Sequence, residues 1–146
     1  MKLVLIAVAL PGAGKSTLLS NFEGDYISRD LLKTDSKYLK AIRESGSDVL
    51  LLDKCHHNIK SRNEVLKQLP KDCDIIWLLF EHPEGIDEGA KICIERCKKR
   101  GDKNAHLIVN TVKKYWQEPV ENNIIRINML MRPEEILSLV MDTVNK

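Results

Sequence analysis

The stretch "LVLIAVALPGAGKST", residues 3 to 17, constrains this chain more than any other. It has two incompatible readings. Lys2 followed by an apolar run with small residues is the outline of a secretory leader. The same letters describe a strand buried on both faces, apolar without alternation, that feeds a phosphate-binding loop. As a leader, its apolar region would be only eight residues, near the short end of the usual range. A leader is also discarded, so nothing downstream should depend on it.

The remainder does depend on it. Apolar runs and segments of helical period alternate from end to end, the pattern of an α/β fold with a parallel sheet covered by helices on both faces. Strands are expected at Leu3–Leu10, Asp25–Ser28, Asp48–Leu52, Asp74–Phe80 and Asn123–Asn128, five in all. Helices are expected at Lys15–Asn21, Asp35–Glu44, Ile59–Leu69, Ile86–Arg100, Ala105–Trp116 and Pro133–Val144. Pro133 needs no donor in a first turn, and Glu134 and Glu135 suit the positive end of a helix. Gly46 and Gly101 follow helix-like runs, where a left-handed residue is commonly needed.

At 146 residues, 43% hydrophobic and 30% charged, the chain is expected to be a single globular domain that needs no metal or disulfide to hold it. The formal net charge of +2 excludes little. Cys55, Cys73, Cys93 and Cys97 lack the paired spacing of a disulfide scaffold or zinc ribbon, which fits a reducing, intracellular compartment. No apolar run reaches membrane-spanning length, so no membrane partner is expected.

In "ALPGAGKST" the pattern G-x-x-x-x-G-K-[ST] is met by Gly14, Lys15 and Ser16, with Ala9 in place of the opening glycine. Gly12 and Gly14 let backbone N–H groups turn inward around an anion at the start of the next helix. Gly12, Ala13, Gly14, Lys15, Ser16 and Thr17 are therefore assigned to nucleotide binding. Lys15 reaches the terminal phosphates, and Ser16 a magnesium ion.

Phosphoryl transfer also needs a group to orient the attacking hydroxyl and cations to follow the moving charge. "YISRDLL" leaves Arg29 and Asp30 at the carboxyl end of the second strand, the rim where open α/β sheets bind ligands. Asp30 can accept the acceptor's proton there; the alternative is that it caps the next helix. Asp53 ends the third strand in the position where such folds hold a magnesium-bound water, the alternative being a plain strand-end acid. Cys55, His56 and His57 are consecutive, so their side chains cannot all converge on zinc. Arg96 and Arg100, four apart, share a helix face and can close as a lid over phosphates, or else answer the helix dipole with the neighbouring lysines. Cys93 and Cys97 have the same spacing and read as packing residues rather than a redox pair.

Absences narrow the field. Asp53 is followed by Lys54, Cys55 and His56 rather than completing D-x-x-G, and N-K-x-D does not occur, so a GTPase switch of the usual kind is not expected. Fewer than twenty residues separate Asp30 from the third strand, too few for the domain with which nucleoside monophosphate kinases enclose their acceptor. An open acceptor site suits the end of a polymer.

Four stretches, "PGAGKST", "SRDLLK", "DKCHHNIKSR" and "RCKKRGDKNAH", together resemble the P-loop polynucleotide 5′-hydroxyl kinases, and within them the kinase module of fungal-type tRNA ligases. The likeness runs from residue 11 to residue 106. It implies a P-loop NTPase fold and a Mg²⁺-dependent kinase that passes the γ-phosphoryl group of an NTP, ATP or GTP, to the 5′-OH end of RNA or DNA in RNA repair or tRNA splicing. It implies Asp30 as general base, Lys15 on the terminal phosphates, Ser16 on magnesium with Asp53 behind it, and Arg100 with Arg96 as lid arginines. Lys33 stands where phage-type relatives grip the acceptor phosphate with an arginine, and Arg29 is placed with it on the acceptor. His57 and Arg62 match the pattern without an assigned role.

Relatives usually carry Asn-Asn where this chain has Cys55 and His56. No K-x-D-G ligase motif is present, which makes a separate ligase an implied partner and leaves a separately encoded kinase or an excised domain as the two origins. Two rivals stand beside this reading: a small-molecule kinase of the shikimate or gluconate type, and a nucleotide-binding module without turnover.

Overall fold

A computed structural model describes residues 2–145. The run that read as strand or leader is the strand β1 (Leu3–Val8), at the centre of a five-stranded parallel sheet. The order is β2-β3-β1-β4-β5, with β2 at Asp25–Ser28, β3 at Val49–Asp53, β4 at Asp74–Glu81 and β5 at Ile124–Asn128. Leu5 lies level with Leu51 on one side and Ile76 on the other. Every connection is a crossover through helices: α1 (Lys15–Leu19), α2 (Arg29–Leu32), α3 (Asp35–Glu44), α4 (Ile59–Leu66), α5 (Ile86–Lys99) and α6 (Ala105–Lys114), with α7 (Pro133–Val144) closing the chain.

The uniform apolarity of β1 conceals a period of two. Leu5, Ala7 and Ala9 face the layer of α1, α5, α6 and α7, while Val4, Ile6 and Val8 face α3 and α4. Both layers are therefore anchored on one strand, which fixes the loop at its end.

The helices begin where side chains can satisfy their first amides. Thr34 caps α3, Asn58 forms a capping box with Ser61 on α4, and Pro133 opens α7 with Glu134 and Glu135 in its first turn. Gly101 is left-handed after α5, as expected. Gly46 is not: α3 ends through an extended Ser45, so no left-handed residue is required. The sequence pattern also missed α2, a single turn too short to show a period, and it carried α4 and α6 two or three residues too far. No helix of the described residues is long and apolar enough to cross a membrane, and the four cysteines are free.

Candidate active site

The loop between β1 and α1 is shaped from beneath by α5. Gly12 has φ 86°, and a Cβ there would stand 2.8 Å from Cys97 Sγ and 2.9 Å from the Cys93 carbonyl oxygen. Cys93 and Cys97 are thus the floor of the loop, and burial pushes the Cys93 thiol up to about 12 and raises that of Cys97. Gly14 has φ 108° with open space where its Cβ would point, and no side chain caps α1 behind it. The first amides of α1 therefore have no side-chain cap, the condition in which a helix start suits an anion. Ala9, replacing the usual first glycine, is fully buried and donates its N–H to the Cys55 carbonyl at 3.0 Å.

Arg96 holds this loop rather than covering it. Its guanidinium donates to the carbonyls of Ala13 at 3.2 Å and Met129 at 2.8 Å, with a longer bond to Gly12. Arg96 also lines the cavity at the loop, and the lid role expected for it would require it to exchange these carbonyls for phosphate oxygens. Arg100 stands one turn further on, more exposed and paired with Asp102.

Lys15 is at the junction of two cavities, with Asp53 and Asp30 near it. Burial works to lower the pKa of its ammonium, but Cys55, Asp53 and Asp30 outweigh this and hold it above the ordinary value. Ser16 donates its hydroxyl proton to Asp53 Oδ2 at 2.6 Å, and the Tyr26 hydroxyl donates to the same oxygen. Burial, and then that bond to Asp53, raises the Tyr26 phenol. A magnesium ion suits this donor set: Ser16 has given away its proton and keeps its lone pairs, and Asp53 Oδ1 has no hydrogen-bond partner among the described residues. Tyr26 carried no signal in the sequence, where it read as a strand residue.

Asp30 does not cap α2. Ser28 does, accepting from the Leu31 N–H at 3.4 Å, and Asp30 is left exposed, free of hydrogen bonds to the described residues. Its carboxylate lies near enough to Lys15 and Arg100 to raise the pKa of both.

Two cavities meet at Lys15, Ser16 and Arg100, which line both. The first, of about 380 Å³, runs from the loop past Arg96 to Met129, Met131, Pro133 and Ile136. The second, of about 600 Å³, contains Asp30 and Asp53. It carries five cationic side chains (Lys15, Arg29, Lys54, Lys60, Arg100) and five carboxylates (Asp30, Asp35, Asp53, Glu64, Asp102). Arg29 lines it, bound to Asp35 at 2.8 Å, and Lys54 reaches Asp35 at 3.3 Å. Lys33 does not: it is the left-handed C-cap of α2, with φ 73°, outside the cavity wall. Lys54, just after β3, and Lys60, in the first turn of α4, were missed because the second cavity is assembled from segments distant in sequence, a proximity no local spacing reveals.

The segment after β3 is set by two buried side chains. His56 has φ 47° and faces the core, its Nδ1 2.6 Å from the Ala7 carbonyl and its Nε2 2.9 Å from the Tyr38 hydroxyl. Arg62, wholly buried, donates to the His56 and Gln117 carbonyls at 2.8 and 3.0 Å and to Glu121 at 2.7 Å. With His56 turned inward, Cys55 and His57 are left facing the second cavity. Desolvation, with Lys54 and Arg62 nearby, lowers the His57 pKa.

A glycine-rich loop between the central strand of this five-stranded parallel sheet and the next helix is the P-loop fold. The solved structures it is similar to include a gluconokinase from Sinorhizobium meliloti, at TM-score 0.71 and 14% identity over 99% of this chain and 91% of that one. A fungal RNA kinase superposes with TM-score 0.69 at 15% identity over 98% and 85% of the two chains, and a sugar kinase from a Janibacter species with TM-score 0.69 at 14% over 99% and 94%. At such identities the likeness is one of fold. No protein-family model matches the chain, and no curated protein matches it in sequence.

Proposed function

We propose that the protein transfers the γ-phosphoryl group of a nucleoside triphosphate to the 5′-hydroxyl end of a polynucleotide, with RNA as the first candidate. The observation that carries the reading is the pair of cavities joined at Lys15, Ser16 and Arg100, with an uncommitted carboxylate, Asp30, on the far side only. A triphosphate in the loop would present its last phosphorus at that junction. The acceptor oxygen forms a bond to it in line, the bond to the β-phosphate bridging oxygen breaks, and the hydroxyl proton passes to Asp30. Lys15 and Arg100 follow the charge as it spreads. Ser16, with Asp53 behind it, would hold a magnesium ion, which would supply charge neutralisation for the transferring phosphoryl group. The order and spacing of the four motifs, and the likeness to a fungal RNA kinase, support a polynucleotide acceptor.

A second reading, a small-molecule kinase, is favoured by one observation: the second cavity balances its five cations with five carboxylates, which is not the basic wall expected for a polyanion. Likeness to a gluconokinase and a sugar kinase supports it equally. A 5′-hydroxyl oligoribonucleotide, its DNA counterpart, a monosaccharide and an aldonic acid, each offered with labelled ATP or GTP and Mg²⁺, separate the two. Label on oligonucleotide ends is expected; label on sugar or acid alone refutes the polynucleotide acceptor.

A further inference from the structure

Tyr26 has no place in the transfer step above, yet its hydroxyl is spent inside the site. The register of β2 on β3 explains how: Tyr26 lies level with Leu51 and Ser28 with Asp53, so Tyr26 and Asp53 are diagonal neighbours on one face. A tyrosine is long enough to reach along that diagonal, and its O–H bonds Asp53 Oδ2, the atom already taken by Ser16. Asp53 is 4% exposed, and a carboxylate so buried needs donors to fix it. Both donors sit on one oxygen. The other, Oδ1, is therefore turned away from the hydroxyls, on a residue that lines the acceptor cavity.

We propose that Tyr26 is a positioning residue for the metal end of the site: by holding Asp53 through Oδ2 it reserves Oδ1 for the water shell of the divalent ion on Ser16. The proposal rests on the phosphotransfer reading. Ser16 alone cannot do this work, because one hydroxyl bond leaves the carboxylate free to turn about its Cβ–Cγ axis. A second donor on the same oxygen, from a different strand, fixes that rotation. Partners of this outer kind commonly set metal affinity by an order of magnitude or more.

The test compares wild type, Tyr26→Phe and Asp53→Asn. Phenylalanine keeps the ring and its packing, and thermal unfolding checks that both variants fold. Binding of Mn²⁺ to the protein with ADP is followed by the electron paramagnetic resonance of free Mn²⁺, and ADP affinity is measured separately in EDTA. Tyr26→Phe is expected to weaken Mn²⁺ binding about tenfold while ADP affinity without metal stays unchanged. In turnover, the variant should need about tenfold more Mg²⁺ and recover most of its kcat when Mg²⁺ is saturating. Unchanged Mn²⁺ affinity in Tyr26→Phe, beside a loss in Asp53→Asn, overturns the proposal and leaves the phosphotransfer reading standing. Failure of the wild-type protein with ADP to bind Mn²⁺ overturns both.

Discussion

The two cavities that meet at Lys15 are built by different means. The cavity at the loop, the donor side of the proposed transfer, is a backbone structure: a loop with two left-handed glycines on a floor of buried cysteines, tied from α5 by Arg96, ending in methionine, proline and isoleucine. The other cavity, the acceptor side of that proposed transfer, is a structure of side chains, in which Asp35 pairs with nearby Arg29 and with Lys54 from beyond β3, and Arg100 pairs with Asp102 two residues on. A backbone cradle tolerates few substitutions and suits what every nucleotide shares. A wall of ion pairs can be rearranged, and under the proposed phosphotransfer that is where an acceptor would be selected. The contrast predicts that donor-side changes act on binding and acceptor-side changes on turnover.

The largest effect is expected at Asp30. Under the proposed transfer, Asp30→Asn keeps the shape and removes the proposed proton acceptor, so turnover should fall by about 10²–10⁴ while the affinity for NTP with Mg²⁺ stays within about twofold. Isothermal titration against a single-turnover assay separates the two quantities. Retention of most activity would move the general base elsewhere and break the contrast at its centre.

This division also explains what could be read from the sequence. The donor loop is local: seven letters fix its turn, its lysine and its helix start, and the strand before it shows its burial as unbroken apolarity. That Asp30 and Asp53 would come near one another could be read because strand ends in such sheets share one rim, and both line the second cavity. Tyr26 was not legible, since it enters through strand register, and Lys54 and Lys60 carried no pattern that separates a cavity wall from an ordinary solvated lysine. Arg96 and Arg100 looked alike, four residues apart in a basic run, and only packing distinguishes the one bonded to backbone from the one at the junction. The "CHH" run was legible in the negative, as residues that cannot converge. That His56 alone turns inward depends on its left-handed backbone and on Tyr38 waiting in α3.

A donor-side change should sharpen the comparison from the other direction. Gly12→Ala places a methyl group against a backbone carbonyl and a sulfur at a φ that alanine rarely adopts. Strain and crowding together amount to about 3 kcal/mol. Part of it should appear as weaker ADP binding, at least tenfold by titration. The rate of the transfer step at saturating NTP should change much less. A normal ADP affinity in this variant would mean that the loop can lift off Cys97 without cost, and that the donor side is not the rigid half.

The smallest expected effect concerns the scaffold under the acceptor side. Burial, against the favourable bond to the Ala7 carbonyl, holds the His56 pKa at about 3, below its ordinary 6.5. The neutral ring uses both nitrogens, Nδ1–H donating to Ala7 and Nε2 accepting from Tyr38, so a second ring proton would face the Tyr38 hydroxyl as an unwanted donor. A depressed pKa in the folded state means that the unfolded chain takes up the proton first as the pH drops. The stability is therefore complete above 6.5 and is lost as the pH falls from there towards 3, by about 1.4 kcal/mol per unit. Burial lowers His57 as well, and it acts in the same direction. Urea unfolding between about pH 6.5 and about pH 5, above most of the carboxylate range, should show a loss of about 2 kcal/mol in wild type. In His56→Gln, less stable at neutral pH but without the titrating ring, the slope over that interval should be flatter by most of that amount. An equal slope in both proteins would mean that His56 is reached by protons without unfolding. The segment after β3 would then be a mobile wall, and the division between a fixed donor side and an adjustable acceptor side would extend into the core.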